Sequence, residues 1–199
     1  PARMLLVGVA MLGVLVLAPA HLTSTSDSHG SAQHRISMWG EGIEMVQQNP
    51  VFGIGKGNFL RYTGRLIAHN STVEVMGETG VPGLFFWLGI IYMGFKTLAA
   101  GYRETQDATD RSYILALGLS VAGYMLSSLF VTLEYETFYF LLALTAAVGN
   151  NLSAKPSFTR RDLWILGSIM AIIFIAVKGL VMVTASHNPI EWNGLKLFD

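Results

Sequence analysis

Two groups of residues between positions 53 and 83 carry groups that could do chemistry. In the first, three alternating glycines flank Lys56, so backbone amides are expected to be unshielded beside a cation, and Arg61 and Arg65 follow one helical turn apart. This pattern predicts an anion site, although alternating glycines in a loop also serve turns. The spacing does not fit the phosphate-binding Walker A loop. The three glycines are Gly53, Gly55 and Gly57.

The second group begins with His69, which stands before a long apolar segment. A helix that starts at Ser71 would carry His69, Gly77 and Gly80 along one face, and Gly83 follows. Such small residues let another helix or a lipid approach the backbone closely. An ionisable residue at the entry to a membrane segment is a functional candidate. The alternative is an interfacial histidine that is bonded to a loop carbonyl.

The composition indicates a membrane protein. Apolar residues make up 52% of the 199 residues and charged residues only 13%, against about a quarter in soluble domains. A net charge of zero gives no indication of a nucleic-acid partner, and none is predicted. The chain has no cysteine, which excludes disulfides, thiolate metal sites and thiol nucleophiles.

Five segments are predicted to cross the membrane, because a spanning helix needs about 20 mostly apolar residues. They are 4–20, 81–100, 113–133, 137–149 and 163–183, and the fourth forms the return arm of a hairpin. The segment 4–20 also resembles a signal peptide, but the chain opens without methionine, as a fragment of a longer protein would. The sequence therefore predicts an all-α fold: a polytopic membrane protein fragment with one membrane domain over 1–199.

The orientation follows from the positive residues, which are retained on the cytoplasmic side. Arg3 and two later groups of Lys and Arg alternate correctly for five spans, which leaves one long extracytoplasmic loop over 21–79. The two groups are Lys96, Arg103 and Arg111, and Lys155, Arg160 and Arg161.

The loop itself is predicted to have three parts. A polar, flexible lead-in covers 21–31, and an amphipathic helix along the membrane surface covers 33–48. Only Met45 falls off its apolar face, and Asn49 and Pro50 end the helix before the glycine segment begins. The apolar face consists of Ile36, Trp39, Ile43 and Val46.

Three stretches in this order, "HRISMW", "QQNPVFGIGKGNF" and "AHNSTVEVMGETGVPG", resemble the O-antigen ligase family and its related polymerases and protein O-oligosaccharyltransferases. The last stretch contains the family signature: a His-Asn pair, nine residues, a glycine, two residues and a second glycine. These positions are His69, Asn70, Gly80 and Gly83, and the resemblance covers about 31–144. Members of the family have about a dozen spans, so the resemblance implies the C-terminal part only.

The resemblance implies a glycosyltransferase that moves a glycan from an undecaprenyl-diphosphate carrier to an acceptor hydroxyl on lipid A core, polysaccharide or protein. The reaction would occur at the outer face of the bacterial plasma membrane, without a metal or another cofactor. His69 matches the base that takes the acceptor proton, and Arg35 matches the loop arginine that stabilises the leaving diphosphate. Other candidates for binding the diphosphate or the glycan are Asn70, Lys56, Arg61, Arg65, Gly53, Gly55, Gly80 and Gly83.

Two other functions stay open from the sequence. A solute or anion transporter would be expected to carry charges within its spans, whereas the charges here cluster outside them and only Lys178 lies deep in one. A non-catalytic membrane scaffold is the second alternative, and the presence of His69 and Arg35 in one loop argues against it.

Overall fold

The computed structural model describes residues 25–64, 66–133 and 136–187, and the regular structure within these residues is entirely helical, as predicted. The contacts divide the chain into two units, Pro1–Arg35 and Ile36–Asp199, and most of the described residues belong to the second. The predicted span 4–20, Arg65 and the hairpin tip at 134–135 lie outside the described residues. The helices are α1 (Thr25–Gln48), α2 (Phe59–Tyr62), α3 (Ser71–Glu104), α4 (Ala108–Ser127), α5 (Glu136–Asn150) and α6 (Arg160–His187).

Helix α1 differs from its prediction at its start and in its buried face. It begins at Thr25, so much of the predicted flexible lead-in is helical, and it ends at Gln48, as predicted. Met45, which was expected off the apolar face, is fully buried in a cluster with Phe59 and Val73. The reason is a close crossing with α3, because a Cβ on Gly77 would lie 2.9 Å from the Met45 sulfur. The helix therefore packs on protein along this face.

Helix α3 begins at Ser71, as predicted, and its first turn is capped by Asn70. The Asn70 side chain accepts hydrogen bonds from the amides of Thr72 (3.0 Å) and Val73 (3.2 Å). This cap satisfies two of the amides that a helix leaves without partners at its N-terminus. Asn70 is itself buried, so its amide side chain belongs to the helix start.

The start of α3 is tied to the residues that follow α4. The Ser71 amide donates to the Ser128 carbonyl (2.8 Å), and the Leu133 amide donates to the Ser71 hydroxyl (2.8 Å). The Thr132 hydroxyl donates to the Glu74 carboxylate at 2.8 Å. Because these bonds hold residues 128–133, α4 ends at Ser127. The predicted span had continued to 133. We call this the His69 end of the molecule.

The opposite end, here called the Glu104 end, contains the connections 105–107 and 151–159. Glu104 accepts hydrogen bonds from the amide (2.8 Å) and hydroxyl (2.6 Å) of Ser153, which join these two connections. Asp107 caps α4, and hydrogen bonds from the amides of Asp110 and Thr109 lower the pKa of its carboxyl. Helices α3 to α6 therefore run alternately between the two ends.

The helices α3, α4 and α5 pack around Phe138, which is 1% exposed. Its ring stacks on Tyr124 with centroids 5.4 Å apart and lies 6.0 Å from Trp87. Glycines let α3 and α5 approach closely beyond this cluster, since a Cβ on Gly149 would lie 2.9 Å from Thr97.

A polar cluster joins α3 to α6 near the Glu104 end. Asp162 is 3% exposed, and its two oxygens accept from Tyr92 (2.6 Å) and pair with Lys96 (2.7 Å). The Thr159 amide and hydroxyl also donate to it, each at 2.7 Å. These bonds satisfy a buried carboxylate that would otherwise be costly. The prediction did not include this cluster, because its helices are distant in the sequence.

Among the described residues, two helices are long and apolar enough to cross a membrane, over Ser71–Glu104 and Arg160–Met182. The first contains the predicted span 81–100 and the second covers all but the last residue of the predicted span 163–183. Helix α5 has 15 residues, fewer than a span normally needs. Five spans therefore stay a prediction. Large apolar side chains are exposed on the outer faces of α3 to α6, as on surfaces that contact lipid. They include Phe86, Ile90, Tyr113, Leu119, Leu126, Phe140, Trp164, Ile172 and Ile175.

Candidate functional site

Helix α3 is broken within the predicted signature, at Gly80. Its φ of 71° and ψ of −170° lie in a region that is essentially reserved for glycine. An unbroken helix would join the Val81 amide to the Gly77 carbonyl, and Pro82 has no amide to offer the Glu78 carbonyl. The break therefore leaves two carbonyls and one amide that need other partners.

The residues 49–58, here called the glycine loop, supply these partners. The amides of Ile54 and Gly55 donate to the carbonyls of Gly77 (3.1 Å) and Glu78 (2.9 Å), and the Val81 amide donates to the Pro50 carbonyl (2.9 Å). The loop thus replaces the hydrogen bonds that the helix loses. This exchange matters because an unpaired backbone amide or carbonyl raises the free energy of the folded protein where the chain enters an apolar environment.

Glycine is required where the two backbones meet. A Cβ on Gly80 would lie 2.7 Å from the Pro50 oxygen and 2.8 Å from the Val51 carbonyl. A Cβ on Gly53 would overlap the backbone of Glu78 and Thr79. The face that was predicted to receive a helix or a lipid at Gly80 therefore receives the glycine loop of the same chain.

The expectation of unshielded amides is wrong for Gly53 and Gly55. The Gly53 amide donates to the Asn49 carbonyl (2.8 Å), and the Gly55 amide is held by Glu78. The space beside Gly57 is open, because a Cβ placed there would meet nothing within 4 Å. An anion at this loop would therefore depend mainly on cationic side chains.

Gly83, the last position of the signature, makes room for a side chain of the preceding turn. A Cβ on Gly83 would overlap the side chain of Thr79, whose hydroxyl donates to the Val75 carbonyl at 2.6 Å. The signature glycines Gly80 and Gly83 thus permit the break and the turn that follows it.

Glu78 is a buried carboxylate that the sequence prediction did not select. It is 1% exposed, its Oε1 accepts from the Phe59 amide at 3.1 Å, and its Oε2 lies 3.1 Å from the Lys56 ammonium. The Lys56 side chain is 60% exposed. Lys56, a predicted anion-binding residue, is therefore a surface cation held by a buried carboxylate. Its sequence signal was an acidic residue directly before the apolar part of α3.

His69 is held between two fixed neighbours at the start of α3. The Ala68 carbonyl accepts from the Trp39 indole at 2.9 Å, and Asn70 caps the helix. His69 itself is half-buried, with a φ of 51°, which is uncommon outside glycine although histidine is among the residues that tolerate it. This arrangement fixes the backbone that carries the imidazole.

The predicted residues are distributed over several places. Gly53, Gly55 and Gly80 meet at the helix break with Lys56 beside them, whereas His69 and Asn70 lie at the helix start, about 13 Å away along α3. Arg61 is exposed in the last turn of α2, and Arg35 is half-buried in α1 within the first unit. Within the described residues, no cluster of three or more His, Cys, Asp or Glu could hold a metal ion.

Comparison with known protein families gives one match that bears on these residues. A family model described as O-antigen ligase matches residues 1–88, which include the glycine loop, His69, Asn70 and the helix break. The resemblance predicted from the three stretches is confirmed over 31–88, and the match does not extend over the remaining predicted part, 89–144. The family is one of membrane glycosyltransferase-like enzymes.

A second family model, described as phosphoglucomutase/phosphomannomutase α/β/α domain I, matches residues 168–199. The described part of this range lies within the single apolar helix α6, so the match carries no argument about a mutase fold. The searches of curated proteins and of solved structures found no match.

Proposed function

We propose that this chain acts in a membrane glycosyltransferase that joins a glycan from an undecaprenyl-diphosphate carrier to an acceptor hydroxyl, such as one of lipid A core or a polysaccharide. The observation that carries the proposal is the O-antigen ligase match over residues 1–88, which contain His69 at the start of a helix able to cross a membrane. A lipid-linked donor and a water-soluble acceptor group would meet at such a position.

His69 acts as the general base in this proposal. The acceptor hydroxyl must lose its proton as it attacks the anomeric carbon, and a neutral imidazole titrates near the operating pH. The fixed backbone on both sides of His69 supports this role, because a base must be held within hydrogen-bonding reach of the proton it takes.

Cationic side chains stabilise the leaving diphosphate. Arg35 takes the role that the family resemblance gives it, and Arg61, Arg65 and Lys56 add positive charge from the same extracytoplasmic segment. Arg61 and Lys56 are exposed to an incoming anion, which supports their inclusion. Gly53 and Gly55 contribute by holding the loop, and Asn70 contributes by capping the helix.

The membrane in the proposal is the bacterial plasma membrane, crossed five times, with the segment 21–79 on the outer side. The alternation of helices between the two ends supports this topology, because it brings the basic connections together at the Glu104 end. The His69 end would then face outward, where lipid-linked glycans are used.

Replacement of His69 tests the proposed function. With purified lipid-linked donor and acceptor, we expect His69→Ala and His69→Gln in the complete protein to lower the transfer rate by roughly 100 to 10,000 times, the usual effect of removing a general base. His34→Gln is the matched control, because His34 is an exposed histidine of the same segment. Protein accumulation and membrane insertion should be unchanged in all three variants.

The Gln variant decides between a chemical and a positional role, since glutamine keeps hydrogen bonding but cannot take up the proton. Transfer at the native rate by His69→Gln would rule out His69 as the base. Transport of a solute by proteoliposomes that contain the complete protein would instead support the transporter alternative.

A further inference from the structure

The tip of the glycine loop presents two large apolar side chains to the surroundings. Phe52 is 83% exposed and Val51 is 55% exposed. The loop that carries them is firmly held, because the backbone on both sides is bonded to α3 at Gly77, Glu78 and Val81. Their exposure is therefore a feature of a fixed structure.

The position of this tip relates it to the apolar part of α3. The Pro50 carbonyl accepts from the Val81 amide, and the Val51 backbone lies against Gly80. Val81 is the first residue of the predicted span 81–100. Lys56 lies beside Glu78. Glu78 is about 4.5 Å nearer the His69 end than Val81 is, measured along the helix axis.

The surface of α3 changes at the same level. Before the break, most residues from Ser71 to Gly80 are buried by protein. After the break, large apolar residues such as Phe86 (67%) and Ile90 (58%) are exposed. The apolar tip and the lysine beyond it are thus arranged as at a membrane boundary, where apolar side chains face the lipid and cations lie at the headgroups.

We infer that the glycine loop is a membrane anchor, whose Val51 and Phe52 side chains insert into the lipid at the His69 end while Lys56 lies at the level of the phosphates. The occupant is lipid, because the apolar tip is fixed at the break, and beyond the break α3 exposes large apolar side chains. This inference depends on α3 crossing the membrane and does not depend on glycan transfer.

The anchor would fix the height of His69 above the membrane. Helix α3 rises about 13 Å from Gly80 to Ser71, whereas one headgroup layer is about 5 to 8 Å thick. An upright α3 that is anchored at its break therefore carries the start of the helix, and His69 before it, about 5 to 8 Å beyond the outer edge of the headgroups. At that height His69 is open to a water-soluble acceptor, and the glycan on a lipid diphosphate would extend toward it.

The test places an environment-sensitive fluorophore on Phe52→Cys, because residues 1–199 contain no cysteine and any cysteine elsewhere in the complete protein is replaced by serine. The complete protein is reconstituted into phosphatidylcholine vesicles, and the label is exposed to iodide in water or to lipids with a spin label near the top of the acyl chain. Gln47→Cys is the control, because Gln47 is an exposed polar residue at the end of α1.

We expect blue-shifted emission at position 52, strong quenching by the spin-labelled lipid and weak quenching by iodide, with the reverse order at position 47. Iodide quenching at 52 equal to that at 47 would overturn the anchor. Blue-shifted emission with neither quencher effective would also overturn it, because the tip would then be covered by protein.

Discussion

The exchange of hydrogen bonds between the glycine loop and the broken helix predicts a severe effect of Gly80→Ala. Alanine at φ 71° and ψ −170° costs about 1 to 3 kcal/mol of backbone strain. Its Cβ would also lie 2.7 to 2.8 Å from the Pro50 and Val51 backbone, so the loop must move away. Each buried backbone group that loses its partner costs about 1 to 3 kcal/mol more. We expect a loss of at least about 3 kcal/mol in the free energy of unfolding.

Reversible denaturation in mixed micelles measures this loss, and hydrogen exchange over residues 50–58 shows whether the loop has detached. Gly123→Ala is the control, because a Cβ there meets nothing within 4 Å. Within a helix this change should stabilise the protein by about 1 kcal/mol. Equal stability of Gly80→Ala and native protein, with unchanged exchange in the loop, would refute the reasoning.

Three further predictions concern other parts of the molecule. An impermeant thiol reagent applied outside should label Ser28→Cys and not Thr105→Cys, and the opposite result would reverse the proposed topology. Lys56→Met should destabilise the protein by about 1 to 3 kcal/mol more than Glu78→Gln in chemical denaturation, because only the first leaves a buried carboxylate facing no cation, and equal losses would argue against the pair. The lowered pKa of Asp107 stabilises the fold above a pH of about 4, and this contribution disappears as the pH falls through the folded value. Asp107→Asn should therefore reduce the acid sensitivity of the unfolding midpoint, and an unchanged pH profile would exclude this contribution.

Local patterns predicted much of the helical framework. Two boundaries that depend on neighbouring residues are confirmed, namely the end of α1 before Asn49 and Pro50 and the start of α3 at Ser71. Long apolar segments likewise predicted the positions of α3 and α6, because their composition alone identifies them.

Features that depend on distant residues could not be predicted in the same way. The burial of Met45 follows from a close crossing of two helices, and the end of α4 at Ser127 follows from bonds to Ser71. In the candidate site, the sequence signature selected Gly80 but gave no reason for its conformation. That reason lies in the glycine loop, and Glu78 likewise gains its partner only when the loop docks.

The pair of Lys96 and Asp162 has a consequence for biogenesis. The two residues are 66 positions apart, and the carboxylate reaches its ammonium partner only when α6 is in place. At ordinary rates of synthesis, about 5 to 20 residues per second, roughly 3 to 13 s separate their emergence from the ribosome. During that interval α3 carries a positive charge near the Glu104 end without its final counterion. Helix α6 thus completes the charge balance of α3, and these two helices cannot reach their final packing until α6 has been made.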